Sequence, residues 1–575
     1  MLNKAFHIFL TALLAINAYS QILPVGMTDE EKAIMPYYEF PQTRSSFTTP
    51  PTWTPRAMAE WEEIDALLIT WTSYTSVLRQ IVDAAQEECI VLIACSDSNQ
   101  VKSYLTSGGV PLTNVKFIKV GFNSVWIRDY GAHNIYCDTV GDHYLVDWKY
   151  NRPRPLDDVM PEQHAAWAGL DLYSMTTSPW NFTATGGNLM VDGFGTAMSS
   201  QLIIDENPSH TASQIDTIMK RFLGIDRYIL FPTLPYDGIH HIDMHMKLLD
   251  EETILVGQYP NGISDGPQIE ANLQWFLNNY NSCFGTPYKV IRIPMPSSTS
   301  GGWPSGGAYY RTYTNGVFVN KTFIYPSYYQ QYDSTAYRIY SEALPGYNIV
   351  PINCDPDPIS ASGAIHCITN CISSNNPLLI SHQPLTSPQT GNNPYTIEAF
   401  IKHRSGITSA NVLYKTSSAG SYTNIPMSNT SGDIWTADIP AQASGTTVYY
   451  YIQAQATNGK TQMRPITAPN GYWKFECENT VGIEEQFVAT EMKPAYPNPA
   501  AYITCIPIEC GNGFSGKLSI TDITGRTIEI IHEGDFAAGE NNYFFNAHAY
   551  ASGLYIIKLE SADIIQQQKI IIRNF

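Results

Sequence analysis

Between about Met58 and Leu379, apolar runs of strand length alternate with stretches of helical spacing. Ala66–Trp71 (ALLITW) and Ile90–Cys95 (IVLIAC) are continuous apolar runs, the pattern of fully buried strands. Ser76–Glu88 between them has helical spacing. Phe117–Asn123, Leu202–Asp205, Thr253–Tyr259 and Val317–Pro326 read as further strands. This alternation predicts an α/β domain over 56–380 with no evident internal repeat. After Ile380 the pattern changes. Ser381–Pro394 has linker composition, and short runs with a two-residue period follow (YTIEAFI, NVLYKT, IWTADI, TVYYYIQAQA), separated by TSGD and NGK turns. They predict an immunoglobulin-like β-sandwich over 395–477. An acidic linker over 478–490 leads to a small C-terminal β-sandwich over 491–575. Residues 21–55, rich in Pro and Thr, are expected to be irregular.

The first twenty residues add a compartment. Lys4, an apolar run over Ala5–Ile16 and the small-residue site Ala18-Tyr19-Ser20 make a secretory signal peptide. That run is too short to span a bilayer, and no later segment is long and apolar enough for a transmembrane helix. The 575 residues carry 33 basic and 52 acidic side chains, a net charge of -19. That balance argues against a nucleic-acid partner, which calls for a basic stripe. Ten cysteines are too few for a disulfide scaffold, although Cys89/Cys95 and Cys505/Cys510 are close enough in sequence to be candidate pairs.

Candidate chemistry is concentrated in five places. Val125–Asn134 contains W-x-R-D, with Trp126 and Asp129; His240–His245 reads HHIDMH; Tyr313–Phe318 carries Asn315; Ser362–Cys371 carries Cys367 beside His366. If HHIDMH is a strand, His241, Asp243 and His245 share a face, so a zinc site is one reading and ordinary hydrogen bonding another. Cys367 follows three small residues that permit close backbone approach, and a thiol with a histidine and two carboxylates elsewhere in the chain is a covalent-catalysis pattern. The fifth place is YNRPRPLDD. Arg152 and Arg154 each precede a proline, which favours extended backbone and puts both side chains on one face. They form either a clamp for an anion or ion pairs with Asp157 and Asp158. Asp129 could likewise pair with its neighbour Arg128.

Taken in order, W-x-R-D, G-G-N-x-x-x-D-G (Gly186–Gly193), H-x-D and G-x-I-H-C-I-T resemble the agmatine deiminase/Porphyromonas-type peptidylarginine deiminase family. The resemblance covers roughly 55–380. YNRPRP with its following DD, and YTNG before a valine-rich strand, point to the peptidylarginine branch. It implies a guanidine-modifying pentein fold, a five-bladed α/β propeller, with no metal or organic cofactor. Asp129 and Asp243 would grip the substrate guanidinium, Trp126 would lie against its side chain, Cys367 would attack its carbon, His241 would move protons and Asn315 would hydrogen-bond near the nucleophile. Arg152 and Arg154 would bind the carboxylate of a C-terminal arginine. The implied substrates are peptides or proteins ending in arginine and free arginine, with agmatine as the alternative; an inactive arginine-binding surface module is a second. One departure is the loop YDGIHH: the tyrosine expected two or three residues closer to His241 is missing there, and Tyr236 stands earlier. The last segment resembles the sorting domain of type IX secretion, through its YPNP start, D-x-x-G-R turn, SGLY strand and lysine-containing tail, which implies that secretion machinery as a partner. The enzymatic reading requires Cys367 to be reduced, accessible and beside Asp129, His241 and Asp243; a Cys367–Cys371 disulfide would abolish it.

Overall fold

The structure is a computed structural model that describes residues 22–41, 46–390, 393–478, 490–501, 503–562 and 564–573. The signal peptide and most of the acidic linker lie outside the described residues.

Five sheets in the first part share one strand pattern. In each, a leading strand runs antiparallel to a second, and a helix then carries the chain to a third strand parallel to the second. His133–Cys137, His143–Tyr150 and Leu172–Met175 follow it. So do Met190–Val191, Thr196–Ser200 and Arg227–Phe231, and Met246–Leu248, Thr253–Gln258 and Lys289–Pro294. Val317–Val319, Thr322–Ser327 and Asn348–Asn353 make the fourth set. In the fifth, the leading strand Asn370–Ser373 comes from the far end of the region and pairs with Ile64–Thr70, which continues in parallel to Ile90–Cys95 and Val115–Lys119. The repeat leaves no mark in the hydrophobic pattern because it lies in backbone pairing.

The connecting helices form for local reasons. Thr75–Ala85 buries Val77, Leu78, Ile81, Val82 and Ala85, a single stripe at helical spacing. Ala212–Leu223 starts at a Thr211/Gln214 capping box and stops at Gly224, whose φ of +72° suits glycine.

Several expectations need correction. Leu202–Asp205 belongs to a short helix, Leu202–Glu206; the strand is the preceding Thr196–Ser200, whose small and polar residues hid it. Short apolar runs do not distinguish the two by period. Val317–Pro326 is a hairpin, turning at Asn320, whose φ is +50°. The strand expected over Phe117–Asn123 ends at Lys119. Within 21–55, helix Asp29–Ile34 forms under a Thr28/Glu31 capping box, and strands Ser46–Phe47 and Pro55–Ala57 follow. All ten cysteines are free. Cys89 precedes and Cys95 ends the strand Ile90–Cys95, and Cys505 and Cys510 lie five residues apart on another strand, so each pair is about 16 to 20 Å apart, beyond disulfide reach.

Beyond Leu378, two sheets face each other. One contains Leu379–Ser381, Tyr395–Lys402, Ile434–Ile439 and Ser428–Ser431, and the other is built around Thr447–Ala456. Ile397, Ile401, Val412, Val448, Ile452 and Phe475 fill the space between them. This layer is tied to the first part by Lys460–Glu63 and Arg464–Glu251 ion pairs, at 2.6 and 2.7 Å. The last 80 or so residues form a three-stranded and a four-stranded sheet around their own core. In the D-x-x-G-R turn, Asp522 accepts backbone N–H groups from Thr524 and Arg526, while Gly525 takes φ +86°. No helix among the described residues is long and apolar enough to cross a membrane.

Candidate active site

The site is assembled from turns that precede the leading strands of the five sheets. Asp129 lies in the turn Ile127–Tyr130, before His133–Cys137. Gly187 lies in Gly186–Asn188, before Met190–Val191. His241 and Asp243 flank and occupy Ile242–Met244, before Met246–Leu248. Asn315 lies just ahead of Val317–Val319, and Cys367 in His366–Ile368, ahead of Asn370–Ser373. Residues 129 to 367 meet because each sheet delivers its turn to the same place. HHIDMH is therefore a tight turn and not a strand, so its alternate residues do not share a strand face. Among the described residues no group of three or more His, Cys, Asp or Glu side chains could hold a metal ion.

The geometry is close. Cys367 Sγ lies 3.3 Å from Asn315 Nδ2 and 3.8 Å from Asp243 Oδ2. His241 Nδ1 lies 3.6 Å from Asp129 Oδ1, and its Nε2 is 3.0 Å from Thr185 Oγ1. The backbone N–H of Gly187 donates to Asp129 Oδ1 at 3.1 Å. Gly187 is glycine for a visible reason: a Cβ there would lie 2.6 Å from His241 Nδ1, 2.9 Å from Asp129 Oδ1 and 3.2 Å from Asp243 Oδ2. Those three polar atoms therefore converge on one point. Asp129 Oδ2 and Asp243 Oδ1 are buried and have no hydrogen-bond partner among the described residues. Buried polar atoms are rarely left so, because each costs free energy.

Burial dominates the electrostatics. It pushes the Asp129 carboxyl up, the neighbouring Asp243 adds to this, and the value reaches about 7. Burial, Asp243 and Asp129 together push the Cys367 thiol well above its usual range. Burial holds His241 down to about 3, despite Asp243. Burial thus favours the neutral thiol and the neutral imidazole, beside two carboxyls that each keep one oxygen without a hydrogen-bond partner. A planar cation with a fork of N–H donors suits that arrangement.

Further residues support the site without having been singled out in the sequence. His366 Nδ1 lies 2.7 Å from Asp243 Oδ2, and its Nε2 lies 2.5 Å from Glu60 Oε1. Glu60 also meets Lys247 at 2.5 Å and Arg128 at 3.4 Å. Burial would raise Glu60, but His366, Lys247 and Arg128 outweigh it and hold the carboxyl well below the usual range. Arg128 therefore pairs with Glu60, not with Asp129. His366 was legible only as the neighbour of Cys367, and nothing local marks Glu60.

Trp126 is fully buried, its ring against Gly363, where a Cβ would come within 2.3 Å. Arg152 and Arg154 sit on a bend between strand His143–Tyr150 and helix Pro155–Asp158 instead of in an extended strand, and both donate to carbonyls of residues 24–26. Neither forms an ion pair with Asp157 or Asp158. Asp157 accepts from Asn123 N and from Ser124 N and Oγ, and Asp158 accepts from Tyr150 N. Arg154 instead grips Glu31 through Nε and Nη2, at 2.7 and 3.0 Å. Tyr236, 52% exposed, turns to solvent. Cys367 is reduced and beside its expected partners, and Cys371 is engaged with Asn134 instead. Accessibility is the one requirement not met: Cys367 is 0% exposed.

A reduced thiol, a histidine and two cation-seeking carboxyls on an α/β framework define the class of the amidine C–N hydrolases, the deiminases. Residues 56–372 match the model of the Porphyromonas-type peptidyl-arginine deiminases, and the chain belongs to that family. The agmatine deiminase of Pseudomonas syringae pv. tomato is 24% identical over 311 residues, 45% of this chain and 77% of that protein. That of Medicago truncatula is 23% identical over 295 residues, 44% of this chain and 78% of its own length. A solved candidate arginine deiminase of Porphyromonas gingivalis superposes with a TM-score of 0.50 at 20% identity, over 56% of this chain and 99% of its own; this likeness concerns the fold. Residues 494–573 match a secretion system C-terminal sorting domain, which marks the chain for type IX export.

Proposed function

We propose that the protein is an exported deiminase that converts C-terminal peptidyl-arginine, and also free arginine, to citrulline and ammonia. The observation that carries this reading is the pair of buried, unpartnered carboxyl oxygens, Asp129 Oδ2 and Asp243 Oδ1, beside a reduced thiol. A guanidinium fork supplies donors to both. Its positive charge opposes the repulsion that holds the Cys367 proton in place, so the thiolate forms on substrate binding. The proton that Cys367 gives up passes to His241, and Cys367 Sγ then bonds to the guanidinium carbon, whose C=N electron pair moves onto nitrogen. His241 returns that proton to the departing nitrogen, ammonia leaves, and a thiouronium remains on Cys367. His241 next takes a proton from water and the hydroxide adds to the same carbon; the C–S bond breaks as that oxygen becomes the ureido carbonyl, the hydroxyl proton goes to the departing sulfur and restores the thiol, and His241 gives up its proton to solvent. Asn315, within 3.3 Å of the sulfur, orients it by hydrogen bonding.

Arg152 and Arg154 bind the substrate carboxylate in this reading. The five three-strand units form a closed five-bladed propeller with the site on its axis, residues 395–477 form an immunoglobulin-like module, and residues 1–20 are a signal peptide. The relatives' names favour agmatine as an alternative substrate. The test is a citrulline assay on peptides ending in arginine, on internal arginine, on free arginine and on agmatine, with a chelator present. Preference for agmatine overturns the substrate, and full activity in Cys367→Ala overturns the mechanism. Binding of arginine peptides with no turnover of any guanidine supports the inactive-module alternative.

A further inference from the structure

The residues assigned above to substrate binding are already engaged by another part of the chain. The carbonyls of residues 23–26 meet donors on Trp126, Arg152 and Arg154. Trp126 Nε1 donates to Leu23 O at 2.8 Å, and Arg152 Nε donates to Val25 O at 3.0 Å. Arg154 Nη2 donates to Pro24 O at 2.8 Å and to Gly26 O at 3.0 Å. In return the Val25 N–H donates to Ala361 O at 3.0 Å, and the Val25 side chain is fully buried. Five residues further on, the capping box of helix Asp29–Ile34 fixes Glu31, and its two carboxylate oxygens take the Arg154 fork bidentately.

Thus the main-chain carbonyls of a segment that bends at Val25 and Gly26, together with one carboxylate, satisfy Trp126, Arg152 and Arg154. Those are the groups a peptide ending in a carboxylate presents. We infer that the mouth of the site is a peptide-binding groove, and that residues 22–31 occupy it as a resident substrate mimic, with the Glu31 carboxylate where a substrate carboxylate is read. The protein in this form is latent, and displacement or removal of the segment opens it. The inference deepens the proposed function and rests on that assignment of Arg152 and Arg154.

The decisive variant is Glu31→Gln in the full chain. Glutamine keeps the capping box but removes the charge that Arg154 grips. Charge-assisted hydrogen bonds of this kind hold a segment by a factor of about 10 to 100. The first readout is independent of turnover: the rate at which iodoacetamide alkylates Cys367, followed by peptide mass spectrometry. E31Q is expected to be labelled about tenfold faster than the wild type or more, and to form citrulline from a C-terminal arginine peptide at a correspondingly lower KM. As a second arm, a specific protease site placed after Phe40 is cut and the protein diluted. Labelling then rises, and a synthetic peptide of residues 22–40 added in trans suppresses it again. Equal labelling of wild type, E31Q and cut protein overturns the inference. Faster labelling with no citrulline from any substrate leaves the plug standing and overturns the deiminase reading instead.

Discussion

Replacing Asp129 by asparagine should make the protein inactive and more stable at once, and the structure gives the size of the gain. Asp129 is fully buried, and burial together with Asp243 raises its carboxyl from an ordinary 3.8 to about 7. A raised folded value means that the folded state holds the proton more tightly than the unfolded chain. The stabilisation is complete below about pH 3.8 and is lost as pH rises through about 7. Roughly three units at 1.36 kcal/mol each give a cost of about 4 kcal/mol at pH 8, an upper figure because the site can relax. Asparagine carries no charge, keeps an acceptor for the Gly187 N–H and offers N–H donors to the adjacent Asp243 carboxyl. D129N should therefore match the wild type at pH 4 and exceed it by about 1 to 4 kcal/mol at pH 8. Scanning calorimetry is the assay, with the catalytic-region transition followed separately because the chain is not a single cooperative unit. A gain of order 2 °C per kcal/mol is expected in that transition. A gain of equal size at pH 4 and pH 8, or none at pH 8, would refute the idea that an unmet charge at residue 129 strains the fold.

Other expectations follow from the same geometry. Because a proton on Asp129 competes with the guanidinium, kcat/KM for an arginine peptide should climb about tenfold per unit as pH approaches 7 from below, and stopped assays across pH 5 to 8 would record it. Gly187→Ala pushes a methyl group to within 2.6 Å of His241 Nδ1, so kcat should fall about 100-fold or more, measured beside an unfolding curve that shows the chain still folded. Glu60→Gln removes the charge shared by His366, Lys247 and Arg128; since Glu60 is partly exposed, a loss of roughly 1 to 3 kcal/mol in urea unfolding is expected.

How much of this was legible follows from which interactions are local. Strand Ile90–Cys95 and the helix ending at Ala85 are written in local hydrophobic period, and both lie within a few residues of where the pattern puts them. Thr196–Ser200 could not be read, because all five of its residues are buried and only Met198 among them is a large apolar side chain, so no two-residue period shows. The chemical residues were legible as motifs, and their convergence was not: Cys367 and Asp243 are 124 positions apart yet 3.8 Å distant. Glu60 lies 306 positions from the imidazole it touches, and one of three glutamates within Glu60–Glu63 carries no mark of such a partner. The N-terminal segment misled for a related reason. Its Pro- and Thr-rich composition reads as irregular, but its order comes from donors on Trp126, Arg152 and Arg154, more than a hundred residues away.

The chemistry of the occupied mouth bears on what can displace its occupant. The segment contributes acceptors to Trp126, Arg152 and Arg154: four carbonyl oxygens and one carboxylate. None of its hydrogen bonds reaches Asp129 Oδ2 or Asp243 Oδ1, which remain without partners on the floor of the site. The plug therefore satisfies the cationic mouth and leaves the anionic floor unmet. A peptide with a terminal carboxylate but an aliphatic last side chain could at best match the plug, and it would meet the plug at the high effective concentration of a tethered competitor. A peptide ending in arginine brings the same carboxylate and, in addition, a guanidinium for the floor. Relief of the two unpartnered carboxyl oxygens is then the free energy that such a substrate has and the resident segment lacks. The specificity of the site and the ease of its opening are set by the same pair of acids.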